Sequence, residues 1–182
     1  MRISALHSAR ALILVPINTI SVVLTMVDVR SLLEYNVRVR HAYFESLLKL
    51  SWKEFTKNRG ASFSSIRNIF VHTLGAIDYW LDYLKKENIH SRKKFNEYKT
   101  LEEVKSYMVH VEKRMQEYLD SLSSAGLRKT YTVTGVEHKR TRITAEDILI
   151  HLFEEEVHHR GELNALLWQM DIDPPPMGWK GL

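Results

Sequence analysis

Apolar residues recur at helical spacing from Met26 onward and predict four amphipathic helices. Before the first helix, Ser31-x-x-Glu34 is typical of a capping box. The apolar face of that helix then follows at Leu33, Val37, His41, Phe44 and Leu48. Because His41 lies within this face, we expect it to be a core histidine with a hydrogen-bonded tip, and a secondary candidate for the functional pocket.

The second and third helices are predicted over residues 64–86 and from residue 101 onward. The first of these places five apolar side chains on one face: Ile66, Phe70, Ile77, Leu81 and Leu84. Residues 51–65 before it form a polar connection around Gly60. Thr100-x-x-Glu103 caps the third helix, whose apolar face continues to Leu122, and Gly126 fits a helix-ending glycine.

A short hairpin or extended excursion is predicted between the third and fourth helices. β-Branched residues at 131–134 and 141–143 flank a turn-prone centre at Gly135. Thr144-x-x-Asp147 then resembles a capping box for a long fourth helix. Three prolines at 174–176 end that helix, and we expect the tail to run extended over the surface. The economical fold is an all-α four-helix bundle over residues 26–182.

The inward stripe of the fourth helix carries two ionisable residues where leucine is expected. Seven positions lie within about 80° of one another on a helical projection, and they are Ile148, Leu152, Glu155, His159, Leu163, Leu166 and Met170. Burying a carboxylate or imidazole without a partner is costly. Two residues four apart on one face can both reach a single metal ion. The pattern therefore predicts a metal site at Glu155 and His159, with a buried pair lacking metal as the alternative.

Neighbouring residues on the second and fourth helices offer further candidates. Glu154 and His158 have the same spacing but lie on a more exposed arc, which favours a surface ion pair. His72 could supply a third ligand from the second helix, although a single histidine on a half-apolar face is also typical of a structural residue. Tyr79 shares its side of the helix. Arg160 and Glu162 flank the stripe and fit either partners of the ligands or dimer contacts.

Composition narrows the chemistry. The 182 residues include no cysteine, so any metal must be held by His, Asp or Glu. The net charge of +4 arises largely from basic runs at 85–99 and 128–142, which are broken by acidic and polar residues. Without aromatic stacking or an ordered basic stripe, these runs do not predict a nucleic-acid partner.

The first 25 residues are treated separately. The apolar stretch 11–24 contains a proline and is shorter than the roughly 20 residues that span a membrane. No clear cleavage site for a signal peptide follows it. We interpret Met26 as the start of the folded protein and expect residues 1–25 to be an extension or a misassigned start. Without these residues, we expect the protein to have no membrane partner and to be cytoplasmic.

Two long segments carry a resemblance to a known family. SWKEFTKNRGASFSSIRNIFVHTLGAIDYWL (51–81) and HLFEEEVHHRGELNALLWQMDIDPP (151–175) resemble the DinB-like, or DinB/YfiT-like, metalloenzymes. The resemblance implies a four-helix bundle with up-down-down-up connectivity. It also implies a divalent metal bound by one histidine of the second helix and an H-x-x-x-H pair of the last. These positions match His72 and His159, while Glu155 replaces the first histidine of the pair.

The resemblance also suggests an activity. Related proteins include thiol-dependent S-transferases, so it implies an enzyme that uses zinc, nickel, iron or manganese to activate a low-molecular-weight thiol or water towards a small electrophile. It further implies a homodimer. The alternative is a non-catalytic, stress-associated helical module in which the metal is structural or absent.

Overall fold

The computed structural model describes residues 28–134 and 140–178, and within these ranges the chain is mostly helical. The four long helices are α1 (Val29–Leu47), α3 (Ile66–Lys85), α4 (Leu101–Ser121) and α6 (Ala145–Trp168). Between them lie α2 (Trp52–Thr56), a 3-10 turn (Phe95–Glu97), α5 (Ser124–Leu127) and the strands β1 (Thr130–Thr134) and β2 (Arg140–Thr144). The predicted extension at residues 1–25 falls outside the described residues, as does the centre of the hairpin.

Three of the long helices have a serine or threonine as their N-cap residue. Ser65, Thr100 and Thr144 each accept a hydrogen bond from the backbone three residues on, and Asp147 completes the capping box predicted before α6. The predicted capping box at Ser31 and Glu34 of α1 was wrong. This helix begins at Val29, and the Asp28 side chain accepts the hydrogen bond from the Ser31 backbone. Aspartate is as good a cap as serine, and it comes earlier in the chain.

The inner face of α1 is also rotated from its predicted position. Leu33 and Phe44 are buried as expected, but Leu48 is exposed and the His41 side chain is 52% exposed. Polar Asn36 and Arg40 are buried in their place. They are satisfied by partners on α6, and a hydrophobic pattern cannot anticipate such pairing. His41 is therefore a surface residue and not part of the core.

Side-chain contacts define how α6 lies against α1 and α3. His72 of α3 contacts Glu155 of α6, and Trp80, which comes later in α3, contacts His151, which comes earlier in α6. The two helices are thus antiparallel where they meet. Helices α1 and α6 are parallel, because Tyr35 contacts Phe153 and the later Tyr43 contacts the later Asn164.

Helix α4 packs on the other side of α3. The Tyr107 hydroxyl of α4 contacts Asp78 of α3, and Arg114, later in α4, contacts Asp82, later in α3. Helices α3 and α4 are therefore parallel. All five apolar residues predicted for the inner face of α3 are buried. Together with residues of α1, α4 and α6, they form most of the hydrophobic core.

The connections differ in part from the prediction. The hairpin is present, with β1 antiparallel to β2 and Thr130 opposite Thr144. Gly126 does not end α4, which stops at Ser121, because a separate turn of helix, α5, follows and includes this glycine. The tail leaves α6 as expected, and its Met177 carbonyl accepts a hydrogen bond from the Tyr35 hydroxyl at 2.7 Å. No helix in the described ranges is long and apolar enough to cross a membrane.

Candidate metal centre

Three side chains from α3 and α6 meet at one point. Nε2 of His72 lies 2.8 Å from Oε1 of Glu155, and Nε2 of His159 lies 3.2 Å from the same oxygen. The three atoms all lie within 4.8 Å of one another. His159 is buried, whereas the Glu155 and His72 side chains are 22% and 28% exposed. The cluster thus has one enclosed side and one side that is open to solvent.

Local helix geometry explains this convergence. Glu155 and His159 are one turn apart on the inward stripe of α6, so both side chains leave the helix in nearly the same direction. The antiparallel helix α3 presents His72 directly opposite them. The stripe is otherwise apolar, and Ile148, Leu152 and Leu163 are buried in it. The surrounding hydrocarbon therefore makes an unpaired charge at this point unfavourable.

Glu162 orients the ring of His159. Its Oε2 lies 2.6 Å from Nδ1 of His159, and the same oxygen accepts a hydrogen bond from the Ser62 hydroxyl at 2.9 Å. A carboxylate can only accept, so Nδ1 of His159 carries the proton and Nε2 points to Glu155. A carboxylate behind a ligating histidine is the usual way of fixing the tautomer at a metal site.

The loop between α2 and α3 closes one side of the cluster. Phe63 stacks on His72 with ring centroids 3.8 Å apart and an interplanar angle of 20°, and its ring edge faces His159. Gly60 and Ser64 take positive φ angles of 71° and 70° in this loop. Glycine adopts this conformation readily, but a serine does so rarely. The tight loop places Phe63 against the two histidines and Ser62 against Glu162.

The electrostatics favour the ionised form of both glutamates. Burial by itself would raise the pKa of Glu155, but the hydrogen bond with His72 and the nearby His159 outweigh it and lower the pKa below its ordinary value. Burial likewise opposes ionisation of Glu162, whose pKa is lowered by its hydrogen bonds with Ser62 and His159.

The donor set fits a divalent metal. Both ring nitrogens of His159 face carboxylate oxygens, so a proton or a metal ion must lie between Nε2 and Oε1 of Glu155. Neighbouring ligand atoms in a tetrahedral zinc site are about 3.3 Å apart, which follows from bonds of about 2.0 Å. The two separations from Glu155, 2.8 and 3.2 Å, are close to this value. Two imidazoles and one carboxylate also form common zinc and iron(II) sites.

The other candidate residues lie in different places. Tyr79 lines a cavity of about 450 Å³ that His72 and Glu155 also line. Arg160 points away from the cluster, with its guanidinium bonded to Asn36 and placed over the Tyr35 ring. It is not a partner of the ligands, because successive residues of a helix point about 100° apart.

Two alternatives from the sequence are also placed. Glu154 and His158 are both exposed, as their arc predicted. His41 pairs with Glu112 on the surface at 2.9 Å and is not part of the cluster.

Sequence reasoning missed several residues around the site. Ser62 and Phe63 lie in what appeared from the sequence to be a simple polar connection, and Arg92 and Phe95 reach the cavity from the segment between α3 and α4. The isolated aromatic residue in a polar loop at Phe63 was the available signal. Its target on another element could not be inferred.

A second acidic group on α3 has a different character. Asp78, Asp82 and His90 lie close enough together to hold an ion. Arg114 contacts both aspartates, and Arg92 bonds Asp82 at 2.8 Å. These guanidinium groups neutralise the carboxylates, so the group is an ion-pair network.

Comparisons with known proteins agree with this architecture. The chain is 27% identical over 146 residues to the uncharacterised protein YizA of Bacillus subtilis (strain 168), an alignment that covers 78% of this chain and 87% of YizA. The crystal structure of a DinB-like protein, YjoA of Bacillus subtilis, superposes with a TM-score of 0.58 at 18% identity, covering 80% of this chain and 95% of that one. The model of the DinB family matches residues 24–180. The chain therefore belongs to the DinB family.

Proposed function

We propose that this protein is a divalent-metal-dependent enzyme in which His72, Glu155 and His159 bind the metal. The supporting observation is that two of these side chains, His72 and Glu155, also line the cavity of about 450 Å³. Sites that only hold a fold together are normally closed by four protein ligands, whereas catalytic sites keep a position open. In this cluster the protein offers three ligands, and the cavity lies beside them.

The helix arrangement supports the same proposal. Arg40 in the second half of α1 contacts Glu112 in the middle of α4, while Arg30 at the start of α1 pairs with Asp120 near the end of α4. These helices are thus antiparallel. We therefore propose an up-down-down-up four-helix bundle, which these helix directions support and in which inward side chains of facing helices build metal sites.

The reaction class that we propose is transfer or hydrolysis at a small electrophilic molecule, with a low-molecular-weight thiol or water as the nucleophile. A divalent ion would supply Lewis-acid chemistry that makes such a nucleophile reactive at neutral pH. The protein contributes the geometry: Glu162 holds the His159 ring, and Phe63 keeps solvent from one face of His72. The donor set suits zinc, iron, nickel and manganese.

One observation favours a different function. Phe63 covers a face of His72, and each ligand already has a partner within 3.2 Å. These contacts would be sufficient for a stress-associated module that has no catalytic activity and in which the metal only stabilises the fold. The two hypotheses differ in whether small molecules reach the metal from the cavity.

Metal analysis of the purified full chain is the first test. We expect near-stoichiometric metal in the parent and its loss in Glu155→Ala and His159→Ala. The double variant Glu154→Ala/His158→Ala is the matched control, because it removes the same residue types at the same spacing from the exposed arc of α6. Absence of metal after incubation with zinc, nickel, manganese and iron(II) would refute the proposal.

Catalysis is tested separately, on protein that contains metal. Thiol transfer to small electrophiles should be lost in the ligand variants and retained in the control. A loaded protein with no transfer or hydrolysis, and with a metal that added thiols do not perturb spectroscopically, would favour the structural module.

We also propose a homodimer. Three large apolar side chains lie on one outer face of α6: Ile150, Val157 and Trp168 are 39%, 45% and 61% exposed. They are seven and eleven residues apart, so they share one side of the helix. Large apolar residues on one face are typical of a surface that another chain covers.

A further inference from the structure

Four aromatic rings line the cavity beside the His72–Glu155–His159 cluster. They belong to Tyr79 and Trp80 of α3, Phe95 of the 3-10 turn and Tyr107 of α4. Trp80 and Tyr79 pack edge to face with centroids 5.6 Å apart, so their orientation is fixed by mutual contact. A volume of about 450 Å³ lies within the range of small-molecule sites, which are mostly lined by apolar and aromatic groups.

The floor of the cavity is made by two small residues of α3, Gly75 and Ala76. A Cβ atom added to Gly75 would meet only the Tyr107 hydroxyl oxygen at 3.9 Å, an ordinary contact. Packing therefore does not require glycine here, although glycine inside a helix costs about 1 kcal/mol relative to alanine. The missing side chain leaves more room in the cavity, one turn from His72.

The cavity offers no unpaired positive charge among the described residues that line it. The Arg92 guanidinium is bonded to Asp82 at 2.8 Å, and the Lys93 ammonium to Glu103 at 2.9 Å. At the metal cluster, the carboxylates of Glu155 and Glu162 would balance the two charges of a divalent ion. An anionic ligand would lose its hydration here and find no free cation in return.

We propose that this cavity is a subsite for an uncharged, planar aromatic molecule, which lies on Gly75 and Ala76 between the aromatic rings with its reacting end towards His72 and Glu155. Planar rings stack on aromatic side chains, an interaction that saturated rings lack. This inference rests on the proposed function, because it names the class of electrophile that the metal centre would act on.

The test measures the binding of three probes to the full chain from changes in the NMR chemical shifts of the protein. Metal content is measured on the same samples. The probes are naphthalene-2-methanol, the anion 2-naphthoate and the saturated decahydronaphthalene-2-methanol. We expect naphthalene-2-methanol to bind about tenfold more tightly than either of the others, a difference of about 1.4 kcal/mol.

Variants locate the binding. Gly75→Leu fills the cavity from its floor and should weaken binding of naphthalene-2-methanol at least about tenfold, and Ala76→Leu serves as a second variant should the first fail to fold. Gln116→Leu places the same side chain at an exposed position of α4 and should leave binding unchanged. Binding of 2-naphthoate as tight as that of the alcohol, or normal binding by both leucine variants, would overturn the inference.

The two proposals fail in different ways. A parent that contains metal but does not bind naphthalene-2-methanol refutes the aromatic subsite and leaves the metal centre intact. A parent that binds the probe in a Gly75-dependent manner without ever taking up metal supports the subsite and refutes the proposed enzyme.

Discussion

Nδ1 of His159 lies 2.6 Å from Oε2 of Glu162, one turn further along α6. This contact fixes the ring so that Nε2 faces Glu155 and His72, and Ser62 holds the carboxylate from the loop before α3. A single loop residue thereby contributes to the position of His159, almost a hundred residues away along the chain.

Replacing Glu162 should weaken metal binding without abolishing it. We expect Glu162→Ala to lower metal affinity by about 10- to 100-fold, because the His159 ring loses its orienting partner. Glu162→Gln should lower the affinity less, since the amide oxygen can still accept the hydrogen bond. Competition with a chelator of known affinity measures both. Glu154→Ala is the control, and an unchanged affinity in Glu162→Ala would show that the contact does not orient a ligand.

Restoring a histidine at position 155 should preserve metal binding. In Glu155→His an imidazole replaces the carboxylate on the same inward stripe of α6, which gives a three-imidazole set such as occurs in catalytic zinc sites. We expect near-stoichiometric metal in Glu155→His and almost none in Glu155→Ala, measured by elemental analysis. Equal metal content in the two variants would mean that residue 155 is not a ligand.

The buried ion pair between α1 and α6 should dominate the response of stability to mutation. Arg40 contacts both oxygens of Glu156, at 2.6 and 3.1 Å, and both residues are buried. Arg40→Met removes the ion pair and leaves the Glu156 carboxylate the hydrogen bond from the Asn36 amide at 3.2 Å, so it should lower the free energy of unfolding by about 3–5 kcal/mol.

Controls for this pair use urea unfolding. The double variant Arg40→Met/Glu156→Gln should recover part of the loss, because it removes the unpaired charge. Arg38→Met, at an exposed position of the same helix, should change the free energy by less than about 0.5 kcal/mol. A loss below about 1 kcal/mol in Arg40→Met would contradict the prediction.

Acid should destabilise the protein partly through Asp82. Burial would raise the pKa of Asp82, but hydrogen bonds from Arg114 and Arg92 outweigh it and hold the pKa below its ordinary value. A lowered pKa means that the unfolded chain takes up the proton first. The stabilisation is therefore complete above about pH 4 and is lost as pH falls through the folded-state pKa.

Asp82→Asn tests this pH dependence. We expect the variant to be less stable than the parent near pH 7 and the difference to shrink towards pH 3, measured by urea unfolding at each pH. Asp120→Asn is the control, because this carboxylate is 63% exposed. A parent–variant difference that stays constant with pH would show that ionised Asp82 does not contribute.

The outer face of α6 should control association. Val157→Glu places a charge among Ile150 and Trp168, and we expect it to convert a dimer into a monomer in light scattering coupled to size-exclusion chromatography. Val109→Glu is the control, since Val109 is 53% exposed on a different helix. A parent that is monomeric at high concentration would refute the dimer.

Features that depend on neighbouring residues could be predicted from the sequence. The caps at Thr100 and Thr144 and the spacing of Glu155 and His159 involve contacts within one or two helical turns. The hairpin and the departure of the tail from α6 are local in the same sense. Such features follow from backbone geometry and residue type, which hold whatever the rest of the chain does.

Only the tertiary structure decided which residues stand opposite one another. The sequence indicated His72 chiefly through the family resemblance, and antiparallel packing of α3 and α6 is what brings it within 2.8 Å of Glu155. Arg40 took an inner position of α1 because Glu156 satisfies it, and a loop delivered Phe63 to the histidines. These contacts join residues far apart in the chain, and hydrophobic periodicity carries no information about the partner of a buried polar group. The sequence by itself thus determined the helices and the inward pair on α6, while packing between helices determined the complete cluster and its cavity.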